Sequence, residues 1–402
     1  MDRRAFLRSG ALAGLGIGLA PLAAAAQDPP RVRRRVRLGR TGLQVADIGF
    51  GSSRLGDDPG LVRHALDRGI DYFDTAESYT RGTSETTLGK ALRGVRPKVV
   101  LASKLQAGAD EDAGSLLRRL EGSLRRLQTD YLDVCFNHAV NDVARLDNPG
   151  WVEFSERARE QGKIRWRGMS GHAGRLVECL DHAIDRDLVD VVLVAFNFGQ
   201  DPGFTQHLTE GLDLVARQPD LPRVLAKART RDVGVVAMKT LRGARLNDLR
   251  PYETGGATFA QSALRWVLSQ PFVDSLVVTM RDPAMVDEYL GASGWTRSRA
   301  GDLTLLAAYE RRNGAKQCRY GCDACAATCP HGVAVADVLR TRMYAHDYGD
   351  LELARGEYAR LGAGAEACLS CAERTCACPW GIPIAELSGA THRLLAPSRK
   401  VG

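Results

Sequence analysis

Short apolar stretches recur along residues 45–280 and alternate with segments of helical periodicity. Eight of these stretches are rich in β-branched residues: Val45–Gly51, Asp71–Asp74, Val99–Lys104, Leu132–His138, Ile164–Ser170, Val191–Phe196, Val233–Lys239 and Ser275–Met280. The clearest helical spacing lies between them, in Leu116–Leu127, Leu176–Ile184 and Phe259–Leu268. Continuous apolar strands separated by amphipathic helices are typical of a parallel sheet. Eight such units predict an α/β fold, a closed (β/α)8 or TIM barrel.

A short hairpin is predicted ahead of the first barrel strand. Val36–Leu38 and Leu43–Val45 flank the turn Gly39–Gly42, and this hairpin would cover the N-terminal end of the barrel. A doubly wound open sheet is the alternative fold, but no Gly-x-Gly-x-x-Gly opens a helix after the first strand. The pattern therefore favours the barrel, which we assign to residues 33–300.

Residues 301–395 have a different pattern, in which cysteine dominates. A helix over residues 302–313 is expected to join the barrel to two cysteine runs, with Tyr344–Leu361 as a polar connector between the runs. Eight of the chain's ten cysteines fall here: Cys318, Cys322, Cys325 and Cys329, then Cys368, Cys371, Cys376 and Cys378. Cys-x2-Cys spacing that closes on Cys-Pro is typical of ferredoxin-type [4Fe–4S] ligation. We predict a small ferredoxin-like iron–sulfur domain with two clusters, and a single cluster is the alternative.

The ligand grouping follows a rule of two-cluster ferredoxins, in which the fourth cysteine of each run ligates the cluster of the other run. Here Cys378 would join the first three cysteines of the first run, and Cys329 would join the first three of the second. The second run is irregular, since Arg374 occupies a position where the regular pattern has cysteine. Zinc and disulfides are the alternatives. Cys135 and Cys179 lie apart and are expected to be buried.

The N-terminal segment 1–26 resembles an export signal. Asp2–Arg8 contains a twin-arginine pair, a glycine- and alanine-rich apolar stretch follows, and Ala23–Ala26 offers small residues for cleavage. The apolar stretch is too short for a membrane span. We therefore expect a periplasmic protein with no stable membrane span in the mature chain. The formal charge of +7 over 402 residues is mild and dispersed, which argues against nucleic acid as a partner.

Four titratable residues lie at or just after the predicted C-terminal ends of neighbouring strands. Asp74, Lys104 and His138 end strands two, three and four, and Tyr79 follows Asp74 by five residues. Active sites of such barrels lie at this end, so we expect the four side chains to meet. A lysine cation would lower the pKa of a nearby phenol, an aspartate would hold the lysine, and a histidine could orient a carbonyl. These four residues therefore predict a site that protonates a carbonyl oxygen while a hydride is transferred to the carbonyl carbon.

These residues resemble the aldo-keto reductase family. The matching stretches are Leu38–Leu43, Asp74–Tyr79, Ser84-Glu85 with Gly89, Ser103-Lys104, Tyr131–His138, Gly168–Ser170, Phe196-Asn197 and Ala263–Trp266. The resemblance covers about residues 35–290. It implies that Asp74, Tyr79, Lys104 and His138 are the catalytic tetrad, with Tyr79 as the general acid. One branch of the family carries a C-terminal ferredoxin-like domain, and the chain is similar to that branch with an export signal added.

The resemblance also implies contacts to NADP(H). Ser170 would hold the carboxamide, although Gly171-His172 follows it here where the family has asparagine next to the serine. Phe196 would stack on the nicotinamide ring, and Arg281 would meet a phosphate. The remaining adenosine contacts of the family have no match, so the sequence leaves open whether NADP(H) or the clusters supply the electrons.

Together these features predict an exported oxidoreductase that acts on a small carbonyl or alcohol. Iron–sulfur clusters would relay electrons, in exchange with a redox partner protein. The alternative is a non-catalytic electron carrier, or a docking or assembly factor for a periplasmic redox enzyme. Loops Phe198–Gly211 and Arg242–Gly256 are expected to set substrate specificity, because loops after the strands do so in this fold.

Overall fold

The computed structural model describes residues 29–201, 220–242, 253, 256–361, 365–373 and 375–396. The predicted export signal at residues 1–26 lies outside these ranges, and so do Arg374 and most of the two predicted specificity loops.

Eight parallel strands close into a barrel, as predicted. A hairpin of β1 (Arg35–Arg37) and β2 (Gln44–Ala46) precedes the barrel strands, which are β3 (Ile48–Gly51), β4 (Tyr72–Asp74), β5 (Val100–Leu105), β6 (Leu132–Asn137), β7 (Ile164–Gly171), β8 (Val191–Ala195), β9 (Gly234–Met238) and β10 (Ser275–Thr279). Each barrel strand from β3 to β9 pairs with the next in sequence, and β10 pairs with β3 to close the ring.

Helices follow the barrel strands and cover their outer face. They are α1 (Pro59–Asp67), α2 (Thr83–Leu92), α3 (Ala113–Leu127), α4 (Pro149–Glu160), α5 (Leu176–Asp185), α6 (Leu221–Thr230), α7 (Phe259–Leu268) and α8 (Pro283–Leu290). The sequence of α3 shows why a helix forms there and which face it buries. Asp112 caps its first turn by accepting a hydrogen bond from the Ser115 N–H. One stripe of the helix is buried against the barrel and consists of Leu116, Leu120, Leu124 and Leu127.

The hairpin covers the N-terminal end of the barrel, which confirms that prediction. Leu38 and Val45 are fully buried and pack with the side chains that fill the barrel interior. Gly39 has a φ of +46°, and a Cβ there would lie 2.2 Å from the Gly234 nitrogen at the start of β9. Only glycine permits this close approach, which the Arg40 N–H reinforces by donating to the Asp232 carbonyl at 2.5 Å.

The cysteine-rich segment, defined here as residues 314–396, follows α9 (Ala300–Asn313). Its described helices are α10 (Val335–His346), α11 (Leu351–Ala359) and α12 (Ile384–Leu395), and they share a hydrophobic cluster of their own. Much of the stretch Tyr344–Leu361, predicted as a polar connector, is therefore helical. Asp350 caps α11, and Ala354 and Tyr358 are buried at helical spacing. Within the described ranges no helix is long and apolar enough to cross a membrane.

Candidate active site

The structure brings the four predicted catalytic side chains together at the C-terminal end of the barrel. Lys104, on β5, is 1% exposed and reaches three oxygen atoms: Asp74 Oδ1 at 2.6 Å, the Thr75 carbonyl at 2.5 Å and Tyr79 Oη at 3.3 Å. Asp74 ends the adjacent strand β4, and Tyr79 begins the turn that follows it. The ammonium of Lys104 thus links the carboxylate to the phenol.

Electrostatics keep the lysine charged and the tyrosine protonated. Burial opposes the charge of Lys104 most strongly, but Asp74 and Tyr79 together outweigh it and raise the lysine's pKa. Burial also raises the pKa of Tyr79 above its usual 10.0, and the nearby Lys104 only reduces that rise. The sequence-based prediction of a lowered phenol pKa is therefore corrected, because withdrawal from water outweighs the cation.

His138 follows β6 and places its ring at the edge of the Tyr79 ring, with centroids 5.7 Å apart. Burial, aided by the charges of Lys104 and Arg145, lowers the pKa of His138 well below 6.5. The imidazole is therefore neutral and can donate one hydrogen bond. Its backbone is fixed on both sides, since the His138 N–H donates to the Leu105 carbonyl at 2.9 Å and Arg145 donates to the His138 carbonyl at 2.8 Å.

A cavity of about 580 Å³ lies over these residues, and its wall comes from two parts of the chain. The barrel contributes Asp74, Tyr79, His138, His172, Met238 and Lys239, and the cysteine-rich segment contributes Tyr344, Tyr348, Asp350, Leu353, Glu357 and Arg360. The C-terminal part of the chain thus completes the cavity. The sequence analysis did not predict that the cysteine-rich segment lines the cavity. The one indication in the sequence is the pair Tyr344 and Tyr348, two aromatic residues four positions apart.

The cysteine-rich segment is held over the barrel mouth by polar contacts to several loops. Arg54 pairs with Asp350 at 3.2 Å, and the Asn141 amide donates to Asp337 at 3.1 Å. The Gly174 N–H donates to the same Asp337 carboxylate at 3.0 Å. These loops follow β3, β6 and β7, so the segment is fixed on opposite sides of the mouth.

A second group of polar side chains lies on the cavity wall formed by the ends of β7, β9 and α10. Lys239 Nζ donates to Tyr344 Oη at 3.1 Å, and Tyr344 Oη lies 3.5 Å from His172 Nε2. Burial, then the charge of Lys239, lowers the pKa of His172 well below 6.5. Sequence reasoning did not assign these residues, although Lys239 ends the seventh predicted strand in the position that Lys104 has in the third.

The predicted NADP(H) contacts are not brought together at the cavity. Phe196 is 1% exposed and packs between Trp266 and Phe272 in the outer core, at ring distances of 5.3 and 5.4 Å. This position corrects the prediction that Phe196 stacks on a nicotinamide ring. Ser170 is buried, and its hydroxyl accepts from the Ala139 N–H at 3.0 Å, which fixes the loop beside His138. Arg281 is exposed just before α8.

All ten cysteines are free thiols in the structure, and Cys135 and Cys179 are fully buried, as predicted. The other eight fall into two neighbourhoods. Burial raises the pKa of Cys325 to about 12, with added repulsion from Cys318, Cys378 and Cys322. Burial raises the pKa of Cys376 to about 11, with further contributions from Cys329, Cys368 and Cys371. Within the described ranges, no three or more His, Cys, Asp or Glu side chains already have the geometry to hold a metal ion.

Arginine side chains surround the first of these neighbourhoods. Arg340 donates to the carbonyls of Arg319 and Cys322 at 2.6 and 2.7 Å. The guanidinium of Arg319 lies over the ring of Trp380, 4.1 Å from its centroid. Burial raises the pKa of Cys318 overall and outweighs the charges of Arg340 and Arg319, which act to lower that pKa.

Comparison with known proteins agrees with the fold. Residues 47–297 match the model of the aldo/keto reductase family. L-galactose dehydrogenase of Arabidopsis thaliana is 27% identical over 63% of this chain and 86% of its own length. The uncharacterized oxidoreductase YrpG of Bacillus subtilis is 32% identical over 56% and 72%, respectively.

Solved structures give the same result. The aldo/keto reductase of Klebsiella pneumoniae in complex with NADP and acetate is 28% identical, with a TM-score of 0.52 over 70% of this chain and 95% of that one. The family match covers more than half of the chain and includes Asp74, Tyr79, Lys104 and His138. The chain therefore belongs to the aldo/keto reductase family and is an oxidoreductase.

Proposed function

We propose that this oxidoreductase interconverts a small carbonyl compound and its alcohol at Tyr79. The observation that carries the proposal is the ammonium of Lys104, which bridges Asp74 and the phenol oxygen of Tyr79. In reduction, Tyr79 gives its proton to the carbonyl oxygen. Lys104 stabilises the phenolate left behind, and Asp74 holds Lys104 charged. Neutral His138 donates a hydrogen bond that orients the carbonyl.

NADP(H) is one source of the hydride in this proposal. Similar aldo/keto reductases of Klebsiella pneumoniae were solved in complex with NADP and with NADPH, which supports a nicotinamide cofactor for this chain. In this chain Ser170 and Arg281 would have to move toward the cavity to contact it, and another side chain would have to cover the ring. Met238 lines the cavity at the end of β9 and is a candidate for that contact.

Iron–sulfur clusters are the second source of electrons. The cysteine neighbourhoods support them, since each holds four thiols and each takes its fourth thiol from the other run, as in two-cluster ferredoxins. Two contacts join the runs beside these thiols: the Ala377 N–H donates to Thr328 Oγ1 at 3.0 Å, and Thr375 Oγ1 donates to the Thr328 carbonyl at 3.3 Å. Two [4Fe–4S] clusters would exchange electrons one at a time with a redox partner protein, so that reduction of one carbonyl would take two electrons through them, the proton of Tyr79 at oxygen and a second proton from water at carbon. We also propose twin-arginine export to the periplasm, since that route carries folded proteins with their cofactors.

Protein purified without oxygen tests the proposal, with a panel of aldehydes and ketones and with either NADPH or dithionite-reduced methyl viologen as the electron source. Tyr79→Phe is expected to lower turnover at least about a hundredfold, because general acid catalysis is lost. Tyr131→Phe is the matched control, since that ring packs on Arg96 and Arg165 at the start of β6. Full turnover by Tyr79→Phe would refute the proton-donor role.

A non-catalytic electron carrier is the second candidate, and the position of Phe196 in the outer core favours it. The same experiment separates the two functions. Wild-type protein that neither binds NADPH nor reduces any carbonyl with either electron source would support the carrier.

A further inference from the structure

We propose that His172, Lys239 and Tyr344 form a second substrate-binding set, which holds a hydroxyl group next to the reacting carbonyl. The substrate class would then be hydroxy-substituted aldehydes or ketones and the corresponding polyols. This inference rests on the proposed function of the Tyr79 site and specifies its substrate. Nothing in the sequence motifs of the barrel indicates it, because Tyr344 comes from the cysteine-rich segment.

The second set repeats the chemistry of the first in another part of the wall of the same cavity. In the first, Lys104 Nζ lies 3.3 Å from Tyr79 Oη and 4.6 Å from the ring centroid. In the second, Lys239 Nζ lies 3.1 Å from Tyr344 Oη and 4.6 Å from that centroid. A histidine accompanies each pair, with His172 edge-on to Tyr344 at 6.3 Å. Both phenols therefore present polar atoms to one bound molecule.

The protonation states suit hydrogen bonding to a neutral hydroxyl. Burial, with the nearby Glu357, raises the pKa of Tyr344 well above 10.0, so the phenol keeps its proton. His172 is neutral and can accept or donate. The 3.5 Å between Tyr344 Oη and His172 Nε2 is long for a hydrogen bond. A substrate oxygen can therefore take the phenol's proton as its partner without breaking a strong internal bond.

The backbone holds Lys239 in an unusual conformation that aims it at Tyr344. Its φ is +55°, in the left-handed region that costs a non-glycine residue free energy. Two donors fix its carbonyl: the Asn197 amide and the Arg242 N–H, each at 3.2 Å. On the other side, the Tyr344 carbonyl accepts from the Asp350 N–H at 2.8 Å. The pair is thus positioned before substrate binds, as expected of a binding site.

Discrimination follows from the cost of burying polar groups without partners. A substrate with an alkyl chain beside its carbonyl would cover Tyr344 and leave the phenol's proton with only the long contact to His172. A substrate with a hydroxyl at that place would accept that proton. Glyceraldehyde and propanal form a matched pair of probes, since both have three carbons and one aldehyde and differ in the hydroxyl groups.

Two variants test the set while keeping side-chain bulk, Tyr344→Phe and Lys239→Met. Each is expected to lower kcat/KM for glyceraldehyde about tenfold and to change that for propanal by less than about twofold. Tyr358→Phe is the control within the cysteine-rich segment. It removes a hydroxyl bonded to His392 at 2.7 Å, away from the cavity, and is expected to leave the ratio between the two substrates unchanged.

Calorimetric titration with glycerol and with propan-1-ol separates this inference from the proposed function. Wild-type protein is expected to bind glycerol more tightly, and both cavity variants are expected to lose the preference, even if Tyr79 proves not to be the proton donor. Equal binding of the two alcohols by wild type would overturn the inference. Equal losses for glyceraldehyde and propanal in Tyr344→Phe, or the same change in Tyr358→Phe, would also overturn it.

Discussion

Arg319 donates a hydrogen bond to Glu310 at 2.8 Å, and both side chains are completely withdrawn from solvent. Arg242, which follows β9, donates to the same carboxylate at 2.9 Å. Glu310 lies on α9, and Arg319 is adjacent to Cys318, so one buried carboxylate joins the barrel mouth to the first cysteine run. Burial lowers the pKa of Arg319 to about 10, and the charge of Arg242 adds to that effect. The carboxylate is therefore what permits both cations to be buried.

Glu310→Gln is expected to lower the free energy of unfolding by about 3–5 kcal/mol, because it leaves two buried guanidinium groups without a counter-charge. Denaturation in urea measures the change. Glu153→Gln is the control, since its pair with Arg157 on α4 is half exposed and is worth less than about 1 kcal/mol. Equal effects of the two substitutions would show that the buried pair does not hold the parts together.

Lys104 and Asp74 are expected to be strongly coupled in stability and in turnover. Lys104→Met leaves a buried carboxylate unpaired and should cost about 3–5 kcal/mol of unfolding free energy, whereas Lys104→Met combined with Asp74→Asn should recover most of that loss. The double variant should still lack turnover, because no ammonium remains beside Tyr79. Additive losses of stability would contradict the ion pair.

The rate of carbonyl reduction is expected to be level between about pH 6.5 and about pH 10. The pKa of Tyr79 is raised above 10.0, so the protonated phenol needed for reduction is lost only as the pH rises beyond that value. The pKa of His138 is lowered below 6.5, so its neutral form is lost only at lower pH. A profile of kcat/KM against pH checks both limbs. An inflection between pH 7 and 8 that His138→Gln abolishes would contradict the neutral histidine.

The crossed grouping of the cysteines predicts an unusual result for a double variant within one run. Cys325→Ser and Cys329→Ser should each remove about half of the bound iron, and together they should remove nearly all of it. If each run held its own cluster, the double variant would keep about half. Cys179→Ala is the control, since that thiol is buried in α5 and belongs to neither neighbourhood.

The barrel could be predicted from the sequence because its strands are continuous apolar runs and their ends carry unusual polar residues. Asp74, Lys104 and His138 were found in this way. Phe196 lies in the outer core and away from the cavity because it shares strand parity with Val192 and Val194, which face that core. Tyr344 could not be placed, because its contact with Lys239 joins residues 105 positions apart and depends on how α10 packs against the barrel mouth.

We propose that an aldo/keto reductase site and an iron–sulfur segment form one electron-transfer protein. The most direct test is the content of iron, acid-labile sulfide and zinc in wild-type protein purified without oxygen. Two [4Fe–4S] clusters would give about eight iron and about eight sulfide atoms per chain. Zinc without sulfide, or neither metal, would contradict it.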